Sequence, residues 1–176
     1  MTAYDIGRIR LELENLAVAP NSTAKGNNLQ HLVSYVLSEI PGVVIRANNV
    51  LDHARSDEKD LWVRHSGMCG LPFSDLYLPV ECKNEQRATS ASEVRDFAAK
   101  IRTSSGVDGI LVTRGGLTGS SADRAHDVIH LELASGIRIT VITCSDIAKL
   151  TEPSDLVTLL NDRFFELRSN KTYVTI

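Results

Sequence analysis

Three side chains in this 176-residue chain have the types and spacing for chemistry at a phosphate: Asp60, Glu81 and Lys83. Asp60 opens a stretch with period-two patterning, Asp60-Leu61-Trp62-Val63-Arg64, and Glu81 and Lys83 close another, 75–83. Alternation sets Glu81 and Lys83 side by side on one strand face with Tyr77 and Pro79, and turns Leu76, Leu78, Val80 and Cys82 to the other. If the two strands pair as a hairpin, Asp60 and Glu81 end close together. Two carboxylates, the main-chain carbonyl of Cys82 and waters make a hard-oxygen donor set for a divalent cation. Lys83 would then orient the attacking water, help hold it as hydroxide, or offset charge on the phosphate. That chemistry is metal-assisted hydrolysis of a phosphodiester. Asp75 is a rival acid, but it lies six residues before Glu81, roughly 20 Å away at about 3.3 Å per residue, and ranks below Asp60.

The elements that must position these residues can be read from periodicity. Helical spacing marks 4–17 (Ile6, Ile9, Leu13, Leu16) and 25–39 (Leu29, Leu32, Val33, Val36, Leu37), the second ended by Ile40-Pro41-Gly42. A short strand over 43–47 follows, then a polar loop, 52–59. The strands 60–64 and 75–83 flank an enlarged hairpin loop, His65–Ser74. Ser90 and Glu93 have capping-box spacing at the start of a helix over 91–104, whose stripe is Val94, Phe97, Ala98 and Ile101. Gly109-Ile110-Leu111-Val112-Thr113 is continuously apolar, as a central strand covered on both faces would be. A Gly-rich turn, Arg114–Gly119, leads into a helix over 120–134, a strand over 137–143, a short helix over 145–150 and a longer one over 154–168. This order predicts an α/β domain: a mixed sheet of about five strands flanked by helices.

The spacing Asp60…Glu81-x-Lys83, with an apolar strand before the E-x-K, resembles the PD-(D/E)XK nuclease superfamily and its restriction-endonuclease-like fold. Further segments carry the same resemblance. Lys25-Gly26-Asn27-Asn28-Leu29-Gln30 is similar to the start of the first core helix in Mrr-type restriction endonuclease domains. Pro79-Val80-Glu81-Cys82-Lys83-Asn84 is similar to the strand bearing their E-x-K, Glu93-Val94-Arg95-Asp96-Phe97 to the helix after it, and Gly109–Thr113 with Gly116-Leu117-Thr118 to the next strand and turn. The resemblance implies an αβββαβ core over about 25–147, with helical extensions 1–24 and 148–176 on a single domain. It implies a Mg²⁺-dependent endonuclease acting on DNA, Mn²⁺ substituting, with Asp60 and Glu81 as metal ligands and Lys83 as the residue that positions or activates water. Products would carry a 5′-phosphate and a 3′-hydroxyl. The setting would be restriction, phage defence or DNA repair in a bacterial or archaeal cytosol. Where the family often has a Glu in the first core helix, this chain has Gln30, a neutral and weaker Mg²⁺ ligand that can still hydrogen-bond a coordinated water.

Other features are weighed against blander readings. Arg87, Arg95, Lys100 and Arg102 form a basic flank on or near the 91–104 helix, for DNA phosphate or for solvent. The 114–121 turn lacks the lysine of a nucleotide phosphate loop; Arg114, Thr118 and the turn's N–H groups either hold a DNA phosphate or simply make a glycine turn. His126 and His130 share the i, i+4 spacing of zinc proteases, but Asp127 replaces the needed Glu and no third ligand is evident, so they read as helix-surface or partly buried histidines. Cys69, Cys82 and Cys144 are odd in number, far apart and without a CxxC pair, which fits buried small hydrophobes rather than disulfides or zinc. No apolar run reaches the roughly 18 residues of a membrane helix and the N-terminus is charged throughout, so the expectation is a cytoplasmic protein. A net charge of −3 excludes a protein that coats nucleic acid by bulk electrostatics, though not one that meets DNA at a metal-loaded spot. The last helix is apolar on more than one side, which suits a homodimer or a partner protein. Two other readings remain: a nuclease-fold module that binds nucleic acid or a partner without cutting, and a nuclease subunit switched on by a partner or small ligand.

Overall fold

A computed structural model describes residues 3–18, 22–51, 58–120 and 123–169. In chain order the elements are α1 (Ile6–Val18), α2 (Ser22–Ser38), β1 (Val43–Leu51), β2 (Glu58–His65), β3 (Tyr77–Lys83), α3 (Ala91–Thr103), β4 (Asp108–Thr113), β5 (Gly119–Ser120), β6 (Asp123–Arg124), α4 (Ala125–Ala134), β7 (Arg138–Thr143), α5 (Cys144–Ile147) and α6 (Pro153–Arg168). Five strands form one mixed sheet in the order β1-β2-β3-β4-β7. The first three pair antiparallel; β3, β4 and β7 run parallel. β3 is thus the strand on which a meander gives way to crossover connections. The start of β2 and the ends of β3, β4 and β7 consequently share one edge of the sheet.

Each face of the sheet buries its own core. Leu61, Val63, Leu78, Val80, Cys82, Ile110 and Val112 pack with α1, α2 and α6. Leu111, Ile139 and Val141 pack with Val94, Phe97 and Ile101 of α3 and Val128 and Ile129 of α4. β4 is buried along its whole length, as its unbroken apolar run requires. Ser90 caps α3 with the expected box: its hydroxyl accepts from the Glu93 N–H while Glu93 accepts from the Ser90 N–H at 2.9 Å.

The structure shifts several sequence-based expectations; α2 already starts at Ser22 and β2 at Glu58, inside stretches read as loops. β1 continues to Leu51, so it and β2 form a long hairpin around 52–57, which lies outside the described residues. β3 starts only at Tyr77, because Asp75 is held in the preceding turn; Leu76, expected in the core, is exposed. α4 starts at Ala125 rather than 120, since a two-stranded ribbon, β5 with β6, occupies the chain before it. The second face of α6 is mostly absorbed: Val157 and Leu159 pack against the first core, leaving Phe165 exposed. Among the described residues no helix is long and apolar enough to cross a membrane.

At the opposite edge of the sheet a polar clamp joins the starts of β3, β4 and β7. Asp108 is fully buried and accepts from the Ser74 and Asp75 N–H groups at 2.8 and 3.1 Å. The Arg138 guanidinium donates to both its oxygens, at 2.7 and 2.8 Å. Asp75 in turn accepts from the N–H groups of Val107 and Asp108 at 2.6 and 2.9 Å. A buried carboxylate this fully partnered costs several kcal/mol when one side of the pair is removed. Asp108→Ala, which leaves the Arg138 charge and two N–H donors unmatched, is expected to lower unfolding stability by about 3–5 kcal/mol in urea titration; a loss under about 1 kcal/mol would show that the clamp is not structural.

Candidate active site

Period two on β3 buries Val80 and Cys82 in the first core and turns Glu81 and Lys83 toward the α3 face. Glu81 is a carboxylate only 4 % exposed. Burial of an unpaired charge is costly, and here two ammonium groups compensate it. Lys83 Nζ lies 2.8 Å from Oε1. Lys100 Nζ, from α3, donates to Oε2 at 3.0 Å and Oε1 at 3.3 Å. Lys83 itself sits where the β3 ladder meets β4, paired with Thr113, and its carbonyl accepts from the Arg114 N–H at 2.9 Å.

The β2–β3 register pairs Leu61 with Val80 and Trp62 with Pro79. Continued by one residue, it sets Asp60 of β2 opposite Glu81; the Asp60 side chain lies outside what the structure describes. The tertiary fold brings Glu81 and Lys83 together at contact distance, and the pairing of β2 with β3 reaches Leu61, the residue next to Asp60. Asp75 is committed to the clamp at the other edge. Gln30 is buried on α2, whose stripe packs on the opposite face of the sheet from α3.

Most of the basic residues expected near DNA already have partners within the chain. Arg87 makes two bonds to Glu93, at 2.7 and 2.9 Å. Arg102, about 200° around α3 from Lys100 at 100° per residue, turns to α4 and pairs with Glu132 and Ser135. Arg114 is partly buried and donates to the Leu16 carbonyl at 3.0 Å, satisfying a carbonyl in the last turn of α1. The Thr118 N–H donates to the Thr89 carbonyl at 3.0 Å and its hydroxyl accepts from the Ala125 N–H at 3.3 Å. Arg95 is exposed on α3. The Gly-rich turn is thus a structural splice: Thr89 bridges Leu117, and the Thr89 N–H donates to the Gly116 carbonyl at 2.8 Å. Gly115 passes so close to the preceding loop that a Cβ there would stand 2.2 Å from the Arg87 carbonyl oxygen.

Lys100 is the site residue that sequence reasoning did not single out; it stood only within a basic flank. A signal was available, because Lys100 is about 60° from Phe97 on the helical wheel, at the margin of the buried stripe that must face the sheet. His126 and His130 are half-buried, and burial together with the neighbouring His130 lowers the His126 pKa. Among the described residues no group of three or more His, Cys, Asp or Glu side chains could hold a metal. Cys82 and Cys144 are buried and Cys69 half-buried; burial pushes the Cys144 thiol up to about 11, leaving it protonated and unreactive.

With this geometry in place, similarity decides the family. The family model Mrr_cat, described as restriction endonuclease, matches residues 24–143. This chain belongs to that family. The match runs from α2 to the last residue of β7 and contains Asp60, Glu81 and Lys83. Searched against curated proteins, the chain has no match. The restriction-endonuclease family makes the domain a nuclease of that type, with DNA as the implied substrate, and the mixed five-stranded sheet flanked by helices is the architecture expected of it.

Two predictions concern the loop that carries this Mrr-type domain from Lys83 to α3. Hydrogen bonds from Arg87 hold the Glu93 carboxyl down to about 2, with further lowering from Ser90, against an ordinary value of 4.5. A depressed carboxyl contributes stability above its unfolded-state pKa and loses it as pH falls toward the folded one. The stability gap between wild type and Glu93→Gln should therefore be constant above about pH 5.5 and shrink between about pH 4.5 and 2, measured by thermal melting; a pH-independent gap would contradict the pairing. Gly115→Ala should cost about 1–3 kcal/mol in urea unfolding through backbone overpacking, and an unchanged midpoint would mean that the two loops do not touch.

Proposed function

We propose that this chain is a divalent-metal-dependent endodeoxyribonuclease whose reaction centre is the sheet edge formed by the start of β2 and the end of β3. The observation that carries this reading is the buried Glu81 carboxylate, matched by Lys83 two residues along the same strand; Asp60 adjoins Leu61, the partner of Val80 in the β2–β3 register. The donor chemistry fits a hard divalent cation. The donors are oxygens rather than sulfur or imidazole, and a cation bound to Glu81 would take a place that Lys83 or Lys100 now holds. Asp60, Glu81 and the Cys82 carbonyl would hold Mg²⁺ or Mn²⁺; Gln30, on the helix that covers the other face of the sheet, is left out of that set. Such a cation supplies Lewis acidity toward the phosphoryl group and acidifies water.

The chain's own residues do the remaining work. Glu81, fixed in the β3 ladder and shielded from solvent, keeps one carboxylate at a constant place on the edge. Lys83 projects its ammonium to the same point, where it orients the attacking water and offsets the negative charge that builds on the phosphate during attack. Arg95, exposed near the start of α3, is the phosphate contact favoured by that placement; Arg87, Arg102 and Arg114 are drawn to partners within the chain. The role we assign is restriction, phage defence or DNA repair inside a cell, with a second copy or a partner protein supplying specificity. Gln30 favours one alternative, a nuclease-fold module that binds nucleic acid without cutting it.

Incubated with Mg²⁺ or Mn²⁺, the purified protein should nick or cut plasmid DNA. Glu81→Gln and Lys83→Met should each lower the rate by about 10²–10⁴-fold, the range for loss of a charge-stabilising or proton-transfer group, with circular dichroism unchanged. Both variants cutting like wild type would place the centre elsewhere. Absence of Mn²⁺ binding by calorimetry would favour the binding module.

A further inference from the structure

The D…E-x-K pattern accounts for one ammonium at Glu81, and the structure holds two. Lys83 reaches Oε1 at 2.8 Å, while Lys100 spans both oxygens at 3.0 and 3.3 Å. We propose that Lys100 is a resident counter-cation: it competes with the divalent metal for Glu81 and passes to a DNA phosphate when metal and DNA bind together. The metal would then bind weakly until DNA is present. This rests on the nuclease reading of the same site.

Three observations support it. Each oxygen of Glu81 already faces an ammonium, so a metal ligated by this carboxylate must take a position that one lysine now holds. The two lysines differ in how readily they yield. Lys83 sits in the β3 ladder, its backbone register with Thr113 set by β4. Lys100 comes from a different element, at the end of a flexible four-carbon stem, and can swing while its helix stays packed through Phe97 and Ile101. Charge counting points the same way. Asp60 and Glu81 balance Lys83 and Lys100; a divalent cation leaves an excess of two positive charges, and a phosphodiester reduces it. Metal and DNA binding therefore favour each other, and by linkage each raises the affinity for the other equally.

The test is calorimetric titration of the full chain with Mn²⁺ alone, and with Ca²⁺ in the presence and absence of a short DNA duplex. Wild type should bind Mn²⁺ weakly, and its Ca²⁺ affinity should rise about tenfold with DNA. Lys100→Met should bind Mn²⁺ about tenfold more tightly without DNA and show no DNA-dependent gain, whereas Lys100→Arg should behave as wild type. Should Lys100→Met fail to fold, Lys100→Gln, which keeps a hydrogen-bond donor without the charge, carries the same expectation. A merely structural lysine predicts the opposite sign, since a misplaced Glu81 binds metal less well. If wild type binds metal and cuts DNA but the neutral variants bind Mn²⁺ no more tightly, the Lys100 proposal alone is overturned. If wild type neither binds metal nor cuts, the nuclease reading falls and this proposal falls with it.

Discussion

A carboxylate removed from water needs positive charge beside it, and in this chain Glu81 obtains it from two separate elements. Lys83 comes from the same strand, and Lys100 from the helix laid across that strand's face. The requirement couples the position of α3 to β3 more tightly than apolar packing alone would. Phe97, Ala98 and Ile101 seat the helix on the sheet, and the Lys100 contact sets a polar point within that seat. A low local dielectric strengthens such contacts and also makes their loss expensive. The same arrangement holds the carboxylate at an edge of the sheet, where a cation-binding group is needed.

The sheet separates its acids by role. Two edges carry buried or partly buried carboxylates, and their partners differ. Asp75 and Asp108 are surrounded by backbone N–H groups, the Ser74 hydroxyl and Arg138, so their hydrogen-bonding capacity is spent on joining the starts of three strands. Glu81 is held only by side-chain ammonium groups on flexible stems, among the partners the structure describes. A carboxylate fastened by main-chain donors is scaffold. One balanced by movable cations can exchange them. The parallel half of the sheet makes this division possible, because it sends the ends of β3, β4 and β7 to one edge and their starts to the other.

The basic residues tell a similar story. A net charge of −3 already argues against broad electrostatic attraction to DNA. The fold reduces it further by pairing Arg87, Arg102 and Arg114 inside the chain, where they close a loop, tie α3 to α4 and satisfy a carbonyl of α1. Attraction to a phosphate is thereby concentrated at the Glu81 edge, where the lysines are.

The sequence by itself determined much of this protein. Period-two and helical spacing located each strand of the main sheet and each long helix, because apolar alternation is a direct consequence of which side of an element meets the core. It also placed Glu81 and Lys83 on a common face, since that depends only on two residues of one strand. Three things were left to the tertiary structure. The β5–β6 ribbon is too short to leave a periodic trace. The exact neighbour of Glu81 on α3 depends on how far the helix slides along the sheet, which packing of Phe97 and Ile101 decides. The fate of the arginines depends on contacts up to 98 residues apart, as between Arg114 and Leu16. Local pattern encodes the face a side chain takes; only the assembled fold decides which charge it meets there.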